Sequence, residues 1–210
     1  MYFTRIKHVS MCVSVIYIRH HDEKGMSRSQ LSVVSVLVKY NVQCTLALEY
    51  AAFLGNNNIV RFLLSHNHAI EEVNALSAAA STGRNETVRI LLDNNFNVNQ
   101  GQDEPLLLAT LNGHLDTVRI LISAGANVNA RDSESLIDAC GNGFTDIVKE
   151  FLNAGANVHA QNDRALRLAA YRGYTDIVSI LIPYTEYRKE EVLAIAKRLR
   201  HLVIVHLLEQ

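Results

Sequence analysis

The side chains with the means for chemistry are scattered, and their spacing decides what they can do. His66 and His68 lie two residues apart, and His201 and His206 lie five apart. A metal pair on one helix face needs a spacing of three or four, so neither pair reads as a ligand set, and the first flanks Asn67 in a turn. Cys12, Cys44 and Cys140 show no paired spacing, which suits a reducing compartment better than a disulfide framework. Cys44 and Cys140 fall at or beside stretches of small residues, where a thiol behaves as a small hydrophobe. Asp132, Glu134, Asp138 and Asp146 cluster in sequence but fall on a loop and on two different helices. No nucleophile stands beside a base, and no Walker loop, G-x-S-x-G or C-x-x-C is present. Gly141 and Gly143 read as a helix-joining turn. The expectation is therefore no catalytic residue, no metal, no cofactor and no enzyme.

What positions these residues is a repeat. GHLDTVRILISAGANVNA from Gly113 is spelled again as GFTDIVKEFLNAGANVHA from Gly143, and Gly83, Gly113, Gly143 and Gly173 recur every 30 residues. A period of this size signals a stack of small units. After each glycine comes an acid, Glu86, Asp116, Asp146 or Asp176, suited to the positive end of a helix. Apolar residues follow at helical spacing, as in Leu115, Val118, Leu121 and Ile122, with Arg119 and Ser123 left for solvent. Gly125 and Gly155 stand where a left-handed cap ends a helix, and Asn95, Asn67 and Asn41 hold that place in earlier copies.

Ahead of the glycines run LEYAAFLG, LSAAASTG, LLLATLNG, LIDACGNG and LRLAAYRG, short helices whose small pairs permit close approach. Pro105, Leu106, Leu108, Ala109 and Gly113 follow the pattern T-P-L-H-x-A-A-x-x-G, so the chain, from about Ser29 to Leu208, resembles the ankyrin repeat family. The resemblance implies an all-α solenoid of stacked helix-turn-helix units. The period is three residues shorter than the family's 33, and matching Leu136 and Leu166 to the motif's leucine puts the deficit after Asn-Val-Asn. Short finger loops are expected.

The apolar share of 49%, the charged share of 20% and a net charge of −1 fit a folded protein with no general affinity for nucleic acid. VSMCVSVIYI from Val9 is followed by Arg19, His20 and His21 rather than a cleavage site and is too short to span a bilayer. Residues 1–28 are expected to be an irregular or capping segment. SQLSVVSVLVKYN aligns on GHLDTVRILISAG, with Ser29 for the glycine and Ser32 for the acid, making 29–42 an N-terminal half repeat. Five repeats are expected over 43–186, at about 43–72, 73–101, 102–131, 132–161 and 162–186, with Pro183 shortening the last second helix. AKRLRHLVIVHLLEQ from Ala196 aligns without gaps on AYRGYTDIVSILIPY from Ala170, Leu199 replacing the glycine and Leu202 the acid, and residues 187–210 are expected to be a C-terminal capping repeat.

The resemblance implies a protein-protein interaction scaffold, and an F-box-like C-terminal segment that makes it a substrate adaptor for a ubiquitin ligase is the alternative. The 30-residue period, ALRLAAYRGYTDIV and the AGANVNA and AGANVHA phrases are similar to ankyrin proteins of giant DNA viruses, which implies an intracellular place, the host cytoplasm if viral. The expected partner is another protein, with no nucleic acid and no membrane, and the chain is expected to be monomeric. In the family, the two residues between the small pair and the glycine face the concave groove. Here they are Phe53 and Leu54, Ser81 and Thr82, Leu111 and Asn112, Gly141 and Asn142, and Tyr171 and Arg172. Phe53, Tyr171 and Arg172 are the residue types that anchor interfaces, with Gln161 and Asp163 as rim contacts; the alternative for Phe53 and Leu54 is packing beneath the N-terminal segment. Asp138 stands where Ala78, Leu108 and Leu168 stand in other repeats. Burying it unpaired is costly, so the fourth repeat is either looser or gives Asp138 a partner.

Overall fold

The computed structural model describes residues 44–66, 74–185 and 188–209. The expected segment 1–28 and half repeat 29–42 lie outside them, as do Asn41, Asn67 and His68. The described chain is all-α, with twelve α-helices, one 3-10 turn and no strand. The described residues divide into two compact units, with the boundary between Asn97 and Val98.

The first unit contains α1 (Cys44–Leu54), α2 (Asn57–His66), α3 (Ala75–Ser81) and α4 (Asn85–Asp93). The small pairs explain how α1 meets α3: Ala51, Ala52, Ala79 and Ala80 are fully buried beside Leu48 and Leu76, so backbones approach where larger side chains would hold them apart. Asn56 caps α2 by accepting the Ile59 N–H at 3.2 Å. The two hairpins are joined by polar ties: Thr87 Oγ1 donates to Asn57 Oδ1 at 2.6 Å, and Glu49 accepts the Asn74 N–H at 3.0 Å. Asn95 ends α4 at φ 63°, as the Gly/Asn pattern predicts.

The second unit repeats the hairpin: α5 (Gln100–Leu111), α6 (Leu115–Ser123), α7 (Ala130–Asn142), α8 (Thr145–Asn153), α9 (Ala160–Arg172), α10 (Thr175–Leu181), a 3-10 turn (Ile182–Tyr184), α11 (Lys189–Leu199) and α12 (Leu202–Glu209). First helices α5, α7, α9 and α11 lie side by side, as do second helices α8, α10 and α12. Asp116, Asp146 and Asp176 occupy the first turns of α6, α8 and α10, and Pro183 replaces the end of a regular helix with the 3-10 turn.

The joining glycines are required twice over. Gly143 and Gly173 have φ 79° and 81°, which a side chain resists. The residue after each left-handed joint also lies over the glycine of the repeat before it. A Cβ on Gly113 would meet Phe144 at 3.0 Å, one on Gly143 would meet Tyr174 at 2.8 Å, and one on Gly173 would meet His201 at 2.9 Å.

The short fingers are a single left-handed turn. Gly101, Gln102 and Asp103 take φ 59°, 61° and 64°, and the same geometry recurs at Arg131, Asp132 and Ser133 and at Gln161, Asn162 and Asp163. Left-handed geometry costs an L-residue about 1–2 kcal/mol, so something must hold the turn. Asparagine pegs do part of it: Asn99 Oδ1 accepts the Asn127 N–H at 3.0 Å and its Nδ2 donates to Gly125 O at 3.4 Å. One repeat on, Asn129 Oδ1 accepts the Asn157 N–H at 2.7 Å and its Nδ2 donates to Gly155 O at 3.3 Å.

The last hairpin corrects the gap-free alignment by one residue. Arg200, with φ 61°, holds the left-handed place of Gly173 rather than Leu199. The hydrogen bonds agree, since His201 N donates to Ala196 O as Tyr174 N donates to Ala169 O. Val203, not Leu202, therefore stands in the acid's place. Lys197, not Ala196, follows as the second member of the small pair, and its Nζ pairs with Glu209 at 2.7 Å.

Candidate functional site

Side-by-side first helices convert equivalent positions into rows across the second unit. One row is Leu111, Gly141, Tyr171 and, by the corrected register, Arg198; the next is Asn112, Asn142, Arg172 and Leu199. Leu111 is 42% exposed and Tyr171 55%. Leu111 and Tyr171 stand at matched positions on the helices either side of α7. Asn112, Asn142 and Arg172 are exposed, and both asparagines donate to carbonyls of their own helix, Leu108 O at 2.8 Å and Asp138 O at 3.0 Å.

Gly141 departs from the expectation of a turn glycine. It lies inside α7 and is buried, and a Cβ there would meet Leu168 Cδ2 at 2.5 Å. Its missing side chain leaves a notch that Leu168 of the following repeat fills. The row is thus not continuous: Leu168 stands in the gap between Leu111 and Tyr171.

The finger residues separate. Gln161 is exposed, its side chain donating to Asp132 O at 3.4 Å and accepting from Arg164 at 2.7 Å. Asp163 is not a rim contact: it is 1% exposed, because its carboxylate is consumed internally. Oδ1 lies 2.8 Å from His159 Nδ1 and Oδ2 accepts from Arg188 Nε at 2.9 Å. Arg188 also donates to Glu191 at 2.9 Å and to Asn162 Oδ1.

In the first unit, Phe53 is 45% exposed while Leu54, Ser81 and Thr82 are half-buried. Thr82 Oγ1 donates to Phe53 O at 3.0 Å, and Ser81 Oγ donates to Ala78 O at 2.8 Å. These hydroxyls are already engaged by helix carbonyls.

Asp138 is half-buried, like Ala78, Leu108 and Leu168 at the same position, so the place is an edge of the open face rather than a core slot. Partial loss of water raises its carboxyl's pKa above the ordinary value, Glu134 raises it further, and Arg164 opposes both. Cys140 is fully buried; burial pushes its thiol up to about 12, the inert state expected of a small hydrophobe. Among the described residues no group of three or more His, Cys, Asp or Glu side chains is placed to hold a metal ion, and no helix is long and apolar enough to cross a membrane.

Arg198 and the Asp163–Arg188 contact escaped the sequence reading, the first through the one-residue slip at Arg200 and the second because a charged loop residue reads as solvent-facing. A family model described as ankyrin repeats, three copies, matches residues 48–132 and again 136–210. No curated protein matches the chain. Matched over most of its length by that model, and built of the hairpins just described, the chain belongs to the ankyrin repeat family.

Proposed function

We propose that the chain is a protein-interaction scaffold that holds one partner on the open face of the first helices, with Tyr171 and Arg172 as principal anchors and Leu111, Asn112, Asn142 and Gln161 around them. Ankyrin repeats are in general protein-protein interaction modules. The observation that carries this reading is the exposure of Tyr171 beside Arg172 on a helix whose side chains Ala165, Leu166, Ala169 and Ala170 are buried and whose Leu168 is half-buried. Exposed aromatic and arginine residues concentrate binding energy. In the first unit Phe53 is the corresponding candidate, with Leu54, Ser81 and Thr82 beside it. The partner is a protein rather than nucleic acid or membrane, and the chain acts as a monomer inside the cell, in the host cytoplasm if its source is a giant DNA virus.

Cross-linking followed by mass spectrometry identifies the partner, and the Tyr171→Ala, Arg172→Ala double variant then costs on the order of 2 kcal/mol or more in affinity with unchanged helical circular dichroism. Unchanged affinity places the site elsewhere. One observation favours the ubiquitin-ligase adaptor as second reading: Leu202 and Val203 on α12 are 73% and 67% exposed, an apolar pair suited to a second partner. Cullin-type ligase components that co-purify with the wild type and are lost on Leu202→Asp, Val203→Asp support it; their absence from the wild type removes it.

A further inference from the structure

The open face of the second unit changes sign along its length. On α7 its charged side chains are acidic, Glu134 and Asp138 one turn apart. At the C-terminal ends of α9 and α11 they are basic: Arg172, Arg198 and, just past α11, Arg200 are all exposed, and no side chain of the three makes a hydrogen bond or ion pair with another described residue, while Glu191 in the first turn of α11 is paired with Arg167 and Arg188. Lys197, adjacent to Arg198, turns to Glu209 instead. His201 Nε2 lies 3.1 Å from Tyr171 O, so the loop carrying Arg200 is tied to the end of α9 that carries Tyr171 and Arg172. Helix C-termini favour nearby cations, which accounts for Arg172 and Arg198 as ordinary surface residues. It does not account for Arg200, which accepts φ 61° in the place where Gly113, Gly143 and Gly173 serve the other hairpins.

We propose that this end of the face selects an acidic segment of the partner protein, its carboxylates seated on Arg172, Arg198 and Arg200 and an apolar side chain resting on Tyr171 and Leu168. The inference rests on the reading of this face as the binding site and adds the chemistry of what binds there. Guanidinium groups recognise carboxylates through paired, charge-assisted hydrogen bonds. A continuous phosphate backbone suits the face less well, because Glu134 and Asp138 on the adjoining helix repel it while Tyr171 and Leu168 offer it nothing polar.

The test is selection of a random-peptide phage library on the full chain, with the winning peptides measured by fluorescence anisotropy. The expected winners carry several Asp or Glu residues beside an apolar one. They lose about tenfold or more in affinity for Arg172→Ala, Arg198→Ala and for Arg200→Gly, and keep their affinity for Lys197→Ala. The Arg200→Gly variant relieves backbone strain, so a loss there is not a loss of folding. Winners that are neutral or basic, yet still lose affinity on Tyr171→Ala, overturn the acidic preference and leave the binding face standing. Winners insensitive to every one of these substitutions, or no winners, overturn both. Displacement of the acidic peptides by single-stranded DNA at lower concentration than by polyglutamate also overturns the proposal in favour of a nucleic-acid face.

Discussion

Asp103 and Asp163 occupy the same place, third in a left-handed turn, and both are buried, yet they are held by different chemistry. Asp103 Oδ1 accepts the backbone N–H of Asn127 in the next repeat at 2.8 Å. Asp163 has no such repeat ahead of it, since the segment after α10 reads IPYTEYRKEE rather than AGANVN. Its carboxylate meets the Arg188 guanidinium and the His159 ring instead. His159 itself replaces the pegs Asn99 and Asn129. The backbone fixes where an acceptor is needed, and the neighbouring sequence decides whether a neutral amide or a cation supplies the donor.

The strongest way to break the comparison is to remove the cation. Arg188→Ala takes the guanidinium from a buried carboxylate, and breaking a buried pair typically costs about 3–5 kcal/mol; since Arg188 is itself partly exposed and the His159 ring still faces Asp163, the lower end is expected, on the order of 3 kcal/mol. Urea unfolding measures the loss, and hydrogen exchange should place it in α11 and α12. A loss below about 1 kcal/mol would mean that water satisfies Asp163 as well as arginine does.

Exchanging the charge for an amide sharpens the contrast. Asp103→Asn keeps an oxygen facing a neutral N–H and should cost less than about 1 kcal/mol. Asp163→Asn removes the charge facing a guanidinium and should cost about 2 kcal/mol. Equal losses in thermal and urea denaturation would show that the two turns are held alike.

This contrast also marks how far the sequence carries the reading. The repeat and the hairpin ends are legible because left-handed joints demand glycine or asparagine, as at Gly113, Gly143, Gly155 and Asn95. The turn at Gln161, Asn162 and Asp163 is not, because asparagine and aspartate visit left-handed geometry singly and not in runs of three, and these residues are held there by contacts a repeat away. The register at Arg200 fails for the same reason: without a glycine, a gap-free alignment has no marker. Tyr171 and Arg172 are legible because their positions follow from the period, whereas the burial of Asp163 depends on Arg188, beyond an irregular segment.

A third carboxylate, Asp138, has neither solution, being half-buried with Arg164 as the favourable charge facing it and Glu134 against it. Its pKa is raised in the folded protein, by desolvation first, so the native state holds this proton more tightly than the unfolded chain. That contribution is present below the ordinary value of 3.8 and is lost as pH rises through the higher folded value. Asp138→Leu should therefore raise Tm by about a degree or two at neutral pH, with the gain shrinking below about pH 4. A fall in Tm at neutral pH would show that the carboxylate has a stabilising partner.

The smallest effect is expected where an ion pair exists without burial. Lys197 and Glu209 meet at 2.7 Å, but their side chains are 54% and 50% exposed, so each gives up little water and each holds a long side chain still for the contact. Such pairs contribute about 0–1 kcal/mol, and Lys197→Ala should shift the urea midpoint by the equivalent of less than about 0.5 kcal/mol. Salt separates this pair from the buried one. In concentrated sodium chloride the Lys197→Ala difference should vanish, because solvent ions reach both charges, while the Arg188→Ala difference persists because they do not reach Asp163. If salt erased both differences equally, burial would not be what distinguishes the ionic junction at Asp163, and the contrast with Asp103 would reduce to net charge.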